Sequence, residues 1–200
     1  MDMKTRLLTA ARDELTANGG VMEVQAVARR AGVSVGIAYH HFGSKAGLIA
    51  GVVEDFHTQL RRTLEQETEH AGDNWSRRER LRLRAFLRVY LEDPFGRILI
   101  GRLAQSPEVI DVQRAFTAEE LREGARNLIQ GQRMGIVRAD LDPEVTVAML
   151  LGGIRQTLDR AIEAAAPPSL DHLETQIWAF ISGALALPAT DSRRHPHDAA

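Results

Sequence analysis

Tyr39, His40, His41 and Lys45 stand within seven residues of one another, behind Ser34 and Gly36 and around Gly43-Ser44. A phenol, two imidazoles, a hydroxyl and an ammonium on a short helical stretch can donate hydrogen bonds to phosphate oxygens and base edges. They do not make a metal pair, because adjacent residues on a helix point about 100° apart and His40 and His41 do not converge on one ion. His195 and His197 lack a third ligand. Enzyme chemistry finds no support: there is no Gly-x-Ser-x-Gly, no His-Glu-x-x-His, no phosphate-cradling loop after a strand and no cysteine. The acid pairs Glu65/Glu69 and Glu119/Glu123 fall at i,i+4 and read as solvated faces. No metal, no cofactor and no enzymatic activity are expected.

The elements that must hold those side chains follow from spacing. Val24, Val27, Ala28 and Ala31 give a two-turn helix one buried face. Gly32 suits a turn residue at positive φ, Val33 pins the turn, and Ser34 caps the next helix, which runs to Phe42. Ala38 and Phe42 point that helix inward, with Leu7, Ala11 and Leu15 of a first helix (3–18) as the third wall. Val35, Gly36, Ile37, Tyr39, His40 and His41 are left facing out, although His41 is expected to pack within the domain. This is the logic of a helix-turn-helix, whose second helix lies in the major groove of double-stranded DNA.

Composition agrees with a folded, soluble chain. Of its 200 residues 44% are hydrophobic and 26% charged, and no uninterrupted apolar run is long enough to span a membrane. The absence of cysteine and of an apolar leader suggests a reducing, cytoplasmic setting. The net charge of −2 is uneven: residues 1–50 carry +2 and the remainder −4. A basic head on an acidic body suits a polyanion-binding unit joined to one with another task.

Further along, helical spacing predicts helices at 45–70, 75–92, 108–134, 142–165 and 170–186, with a broken apolar stretch at 95–104. Asp142-Pro143-Glu144 is a strong helix start. The chain is therefore all-α: a three-helix unit (1–46), a bundle of about six helices (47–187) and a polar tail (188–200) read as disordered.

The run AGVSVGIAYHHFGSKAGL (31–48), with EVQAVARR (23–30) and LLTAARDEL (7–15) before it, resembles the TetR family of bacterial transcriptional regulators. The stretch GIVRADLDPEVTVAMLLGG (135–153) is similar to the entry into such proteins' penultimate helix. The resemblance implies a homodimer whose heads each read half of an operator and whose bodies dimerise and hold a small effector. It implies phosphate contacts for Tyr39 and Lys45, a capping and phosphate role for Ser34, and base or sugar contacts for Val35, Gly36, Ile37 and His40. Gln25 matches a position that reaches a base or phosphate. Two positions depart from the pattern: Glu23 stands where a capping Thr is usual, and Ile37 where Thr or Ser is common. These departures are what an alternative reading, a helical module that has lost DNA binding, would point to.

In the body, Val147, Leu151, Ile154, Leu158 and Ile162 form one stripe of the 142–165 helix, and Val145, Met149 and Gly152 lie off it. A helix apolar on two sides is buried on two sides. Gly152-Gly153 costs about 1 kcal/mol per glycine against Ala, which close approach at a twofold seam would offset. A homodimer through the last two helices is therefore expected. An effector pocket is expected among the body helices, walled by Phe56, Phe86, Tyr90, Phe95, Leu99, Leu103, Phe116, Leu128, Met149 and Trp178. Arg155, with Arg97, Arg102 and Gln156, would orient the polar end of a hydrophobic or amphipathic ligand.

Overall fold

The first helix begins where Asp2 accepts the backbone N–H of Thr5 at 2.7 Å, and the same device opens most helices that follow. In the computed structural model, which describes residues 2–103 and 106–188, the order is α1 (Met3–Ala17), α2 (Val24–Ala31), α3 (Val35–Phe42), α4 (Lys45–Thr68), α5 (Trp75–Glu92), α6 (Pro94–Ile98), α7 (Ile110–Arg133), α8 (Pro143–Glu163) and α9 (Leu170–Leu185). No strand occurs among the described residues. The tail beyond Pro188, with His195 and His197, lies outside them.

Leu7, Ala11 and Leu15 of α1 are fully buried against Val24, Val27 and Ala31 of α2, and Ala38 of α3 closes the head. Gly32 makes the turn at φ 65°, a left-handed value that a Cβ would strain. Ser34 caps α3 through a long bond of 3.4 Å from the Ile37 N–H. Ser44 caps α4 through Gly47 N–H at 2.9 Å. Glu23, as its side chain predicts, caps nothing at the start of α2.

In the body, α4 packs along α5, α5 along α9, and α7 along α8. The last pair is tight: a Cβ on Gly124 would lie 2.6 Å from Cγ1 of Val147. The broken stretch at 95–104 resolves into the short α6, begun by Asp93 and Pro94, and a π-helical turn over Leu99–Leu103. Two polar ties fasten this stretch to the head. Arg12 of α1 pairs with Asp93 and lies over the rings of Phe56 and Phe95, and Arg102 donates to the carbonyl of Gly19 at 3.0 Å.

Candidate nucleic-acid interface and body cavities

On α3, Gly36, Ile37, Tyr39, His40 and His41 all face outward, with Ile37 36% and Tyr39 44% exposed. Ser34 and Gln25 are exposed at the openings of α3 and α2, and Lys45 stands exposed at the first position of α4. Val35 departs from the outward reading. It is half-buried and packs on the core, because the first turn of α3 leans on the α2 turn. His41 departs in the other direction: it is exposed beside His40, with ring centroids 5.7 Å apart, because it lies off the inward side formed by Val35, Ala38 and Phe42. No cluster able to hold a metal ion occurs among the described residues. The face thus offers a phenol, imidazoles, a hydroxyl and an ammonium, with exposed Arg29 and Arg30 behind, and no acid on α3.

Beside a cavity of about 370 Å³ between α4 and α5, bordered by Phe56, Thr63, Arg88 and Asp93, the body holds two that adjoin α7 and α8. One, of about 170 Å³, lies between α5, α7, α8 and α9 and is walled by Trp75, Leu83, Phe86, Leu128, Ile154 and Trp178. The other, of about 530 Å³, lies between α7 and α8 over Tyr90 and is lined by Gln113, Arg114, Thr117, Arg155 and Gln156. The expected single pocket is therefore divided. Phe86, Leu128 and Trp178 reach the first cavity; Tyr90 and Arg155 reach the second.

Several expected wall residues line neither of the two cavities beside α7 and α8, and of these Phe56 borders only the one between α4 and α5. Phe56 and Phe95 pack edge to face with centroids 5.7 Å apart, and Phe56 does the same with Tyr90 at 5.5 Å. Leu99 and Leu103 are buried, and a Cβ on Gly20 would lie 3.7 Å from Cδ2 of Leu103. Phe116 stacks on His57 at 3.7 Å. These side chains are core because their volumes are already filled by neighbours. Met149 is corrected most: it is 69% exposed on the outer face of α8. Arg97 and Arg102 are spent on backbone carbonyls, of Leu91 and Gly19, and do not reach a cavity.

Sequence reasoning did not single out Trp75, His57 or Glu120. Trp75 opens α5 and donates its indole N–H to the Asn127 carbonyl at 3.0 Å. Glu120 sits one step from the i,i+4 pair Glu119/Glu123, and only the fold decides which of the three acids turns inward. Glu120 pairs with Arg155, which also donates to Thr117 Oγ1 at 2.8 Å. Burial pushes the Glu120 carboxyl up to about 7, with Glu123 adding repulsion and Arg155 opposing. Tyr90 is likewise raised, by burial first and then by Glu120.

His57 is 3% exposed and its Nε2 finds no partner among the described residues. Burial, then the charges of Arg155 and Arg61, push it down to about 3, against a smaller opposing pull from Gln113. The unfolded chain therefore takes up a proton near pH 6.5 that the folded chain refuses until about 3. Its contribution is full above pH 6.5 and is lost as pH falls through that window. Glu120 acts with the opposite sign, favouring the fold as pH falls from about 7 towards 4.5. In melting curves between about pH 7 and 4.5, His57→Leu is expected to lose less stability than the wild type. Equal losses would show that His57 does not govern the acid limb.

A three-helix head with an outward α3, carried on a helical body, is the arrangement of a helix-turn-helix unit. Residues 7–52 match the family described as bacterial regulatory proteins, tetR family. The match covers the head and the first turns of α4, and gives the chain a tetR-type N-terminal domain. No curated protein matches the chain. Among solved structures it is similar to a transcriptional regulator from Rhodococcus sp. Rha1, at 26% identity over 92% of this chain and 99% of that one, TM-score 0.70. It is also similar to a TetR-family regulator from Pectobacterium atrosepticum, at 25% identity over 92% and 95%, TM-score 0.71. The fold is shared too by the regulator FadR from Bacillus subtilis in complex with stearoyl-CoA, at 17% identity over 90% and 98%, TM-score 0.77. Among the described residues no helix is long and apolar enough to cross a membrane.

Proposed function

We propose that this regulator is a homodimeric repressor that binds a near-palindromic operator and leaves it when a hydrophobic or amphipathic small molecule enters the body. The exposed face of α3 carries the reading. Tyr39 and Lys45 bind phosphates, Ser34 caps α3 and supplies a third donor, and Gln25, Gly36 and His40 meet sugars or base edges. Ile37, with no hydrogen-bonding group, meets a thymine methyl. Val35 supports the start of α3 more than it reads a base.

The heads are domain 1–46, the body 47–187, and α8 and α9 of each protomer join at the twofold axis. Dimeric heads must sit about 34–36 Å apart, or a multiple of it, to meet successive grooves. An effector in the body favours an arrangement of α6 and α8 in which the ties through Arg12 and Arg102 hold the heads at another spacing. That a like-folded regulator is described with stearoyl-CoA supports a bundle able to take long amphipathic molecules.

A gel-shift titration on genomic fragments selected by the protein tests this. Lys45→Ala is expected to weaken every site alike, by about tenfold, and to lower the salt slope by about 1. His40→Ala is expected to change sequence preference instead. Affinity that is flat with salt, or unchanged by Lys45→Ala, would overturn the assignment.

A further inference from the structure

The Glu120–Arg155 pair is a partition between the two cavities. Glu120 borders the apolar one and Arg155 the polar one. The apolar side holds Trp75, Phe86 and Trp178. Its other acids are accounted for: Glu79 is bound by Arg78 and Arg82, and Glu123 is half-exposed. The polar side is rich in donors, with two guanidiniums, of Arg114 and Arg155, against one carboxylate, of Asp159. Arg155 is therefore a half-buried cation whose present counter-ion, Glu120, borders the other cavity.

We infer that the two cavities are halves of one site for an organic monocarboxylic acid. The acid's apolar part fills the space between Trp75 and Trp178, and its carboxylate replaces that of Glu120 on Arg155 and Thr117. The exchange keeps Arg155 neutralised, since charge-assisted bonds to a guanidinium are reproduced by any carboxylate of like geometry. Glu120, displaced, takes a proton from water, for which its buried carboxyl is already suited at about 7. An alcohol of the same length cannot satisfy Arg155, and an amine would meet it as a like charge. This rests on the reading of the body as an effector site.

The chain has two tryptophans and both border the apolar cavity, so intrinsic fluorescence reports its filling. The full-length protein is titrated with decanoate, decan-1-ol and decylamine. Decanoate is expected to bind at least about tenfold more tightly than either of the others. Glu120→Gln should keep or strengthen decanoate binding. Arg155→Gln should reduce decanoate to the level of the alcohol. Because Arg155→Gln leaves Glu120 buried without a partner, the double variant E120Q/R155Q is titrated beside it as a neutral pair that retains the fold.

Alcohol or amine binding as tightly as decanoate overturns the inference and leaves the effector reading standing. So does a double variant that keeps the preference for the acid. If none of the three probes changes the fluorescence, the body is not their site, and the effector reading falls together with this one.

Discussion

Replacing Met149 and Phe180 together by glutamate is expected to leave the chain monomeric and to cut operator affinity by on the order of 100-fold or more. Both side chains are held far out of the core, at 69% and 65% exposure, with Val145 at 58% beside them. Gly152 and Gly153 of α8 and Gly183 of α9 are exposed as well, and a Cβ on any of them would meet nothing within 4 Å. Within one chain these glycines carry a helix penalty with no packing to offset it. In the proposed dimer a second α8–α9 pair laid against them would supply the packing. Two glutamates per protomer at that seam would be buried without partners, which costs far more than the contact gains. Because the substituted positions are exposed in the single chain, helix content measured by circular dichroism should be unchanged. The readouts are mass by light scattering and affinity by gel shift. A variant that remains dimeric places the seam elsewhere.

Trp75→Ala is expected to lower unfolding free energy by about 3–5 kcal/mol. The indole is 2% exposed, walls the apolar cavity, and lies where a Cβ on Gly131 would come within 3.0 Å of its Cε2. Removing it enlarges an existing void and deletes the indole N–H bond to the Asn127 carbonyl. Urea denaturation followed by circular dichroism checks this, with the midpoint falling and the slope unchanged. A loss below about 1 kcal/mol would mean that the neighbouring helices collapse into the space.

The head was legible from its residues because local rules govern it. Val24, Val27, Ala28 and Ala31 repeat at helical spacing, Gly32 permits the turn, and Ser34 caps α3, with no distant partner needed. The outward set on α3 followed by subtraction and failed only at Val35, while the separate expectation that His41 packs inward failed too, because a helix of eight residues has too little length to separate its faces cleanly. The body was legible as helices and not as a cavity. Which of Phe56, Phe86, Phe95 and Phe116 faces a void depends on how four long helices cross, and no periodicity carries that. Met149 shows the limit plainly: an apolar residue off the main stripe fits a cavity wall or an outer seam equally well. Glu120 and Arg155 are 35 residues apart in sequence, so their union is a property of the α7–α8 packing alone.

The 24 residues of α4 form one uninterrupted rod whose first residue is Lys45. At 1.5 Å per residue the rod is about 36 Å long. Pivoted at its far end by roughly 5°, it carries the ammonium of Lys45 sideways by about 3 Å, close to the 3.4 Å step between neighbouring phosphates of a strand. On the proposed reading, leverage of this kind would amplify a side-chain-sized rearrangement in the body to about one base-pair rise at the duplex, in opposite senses on the two halves of a symmetric operator.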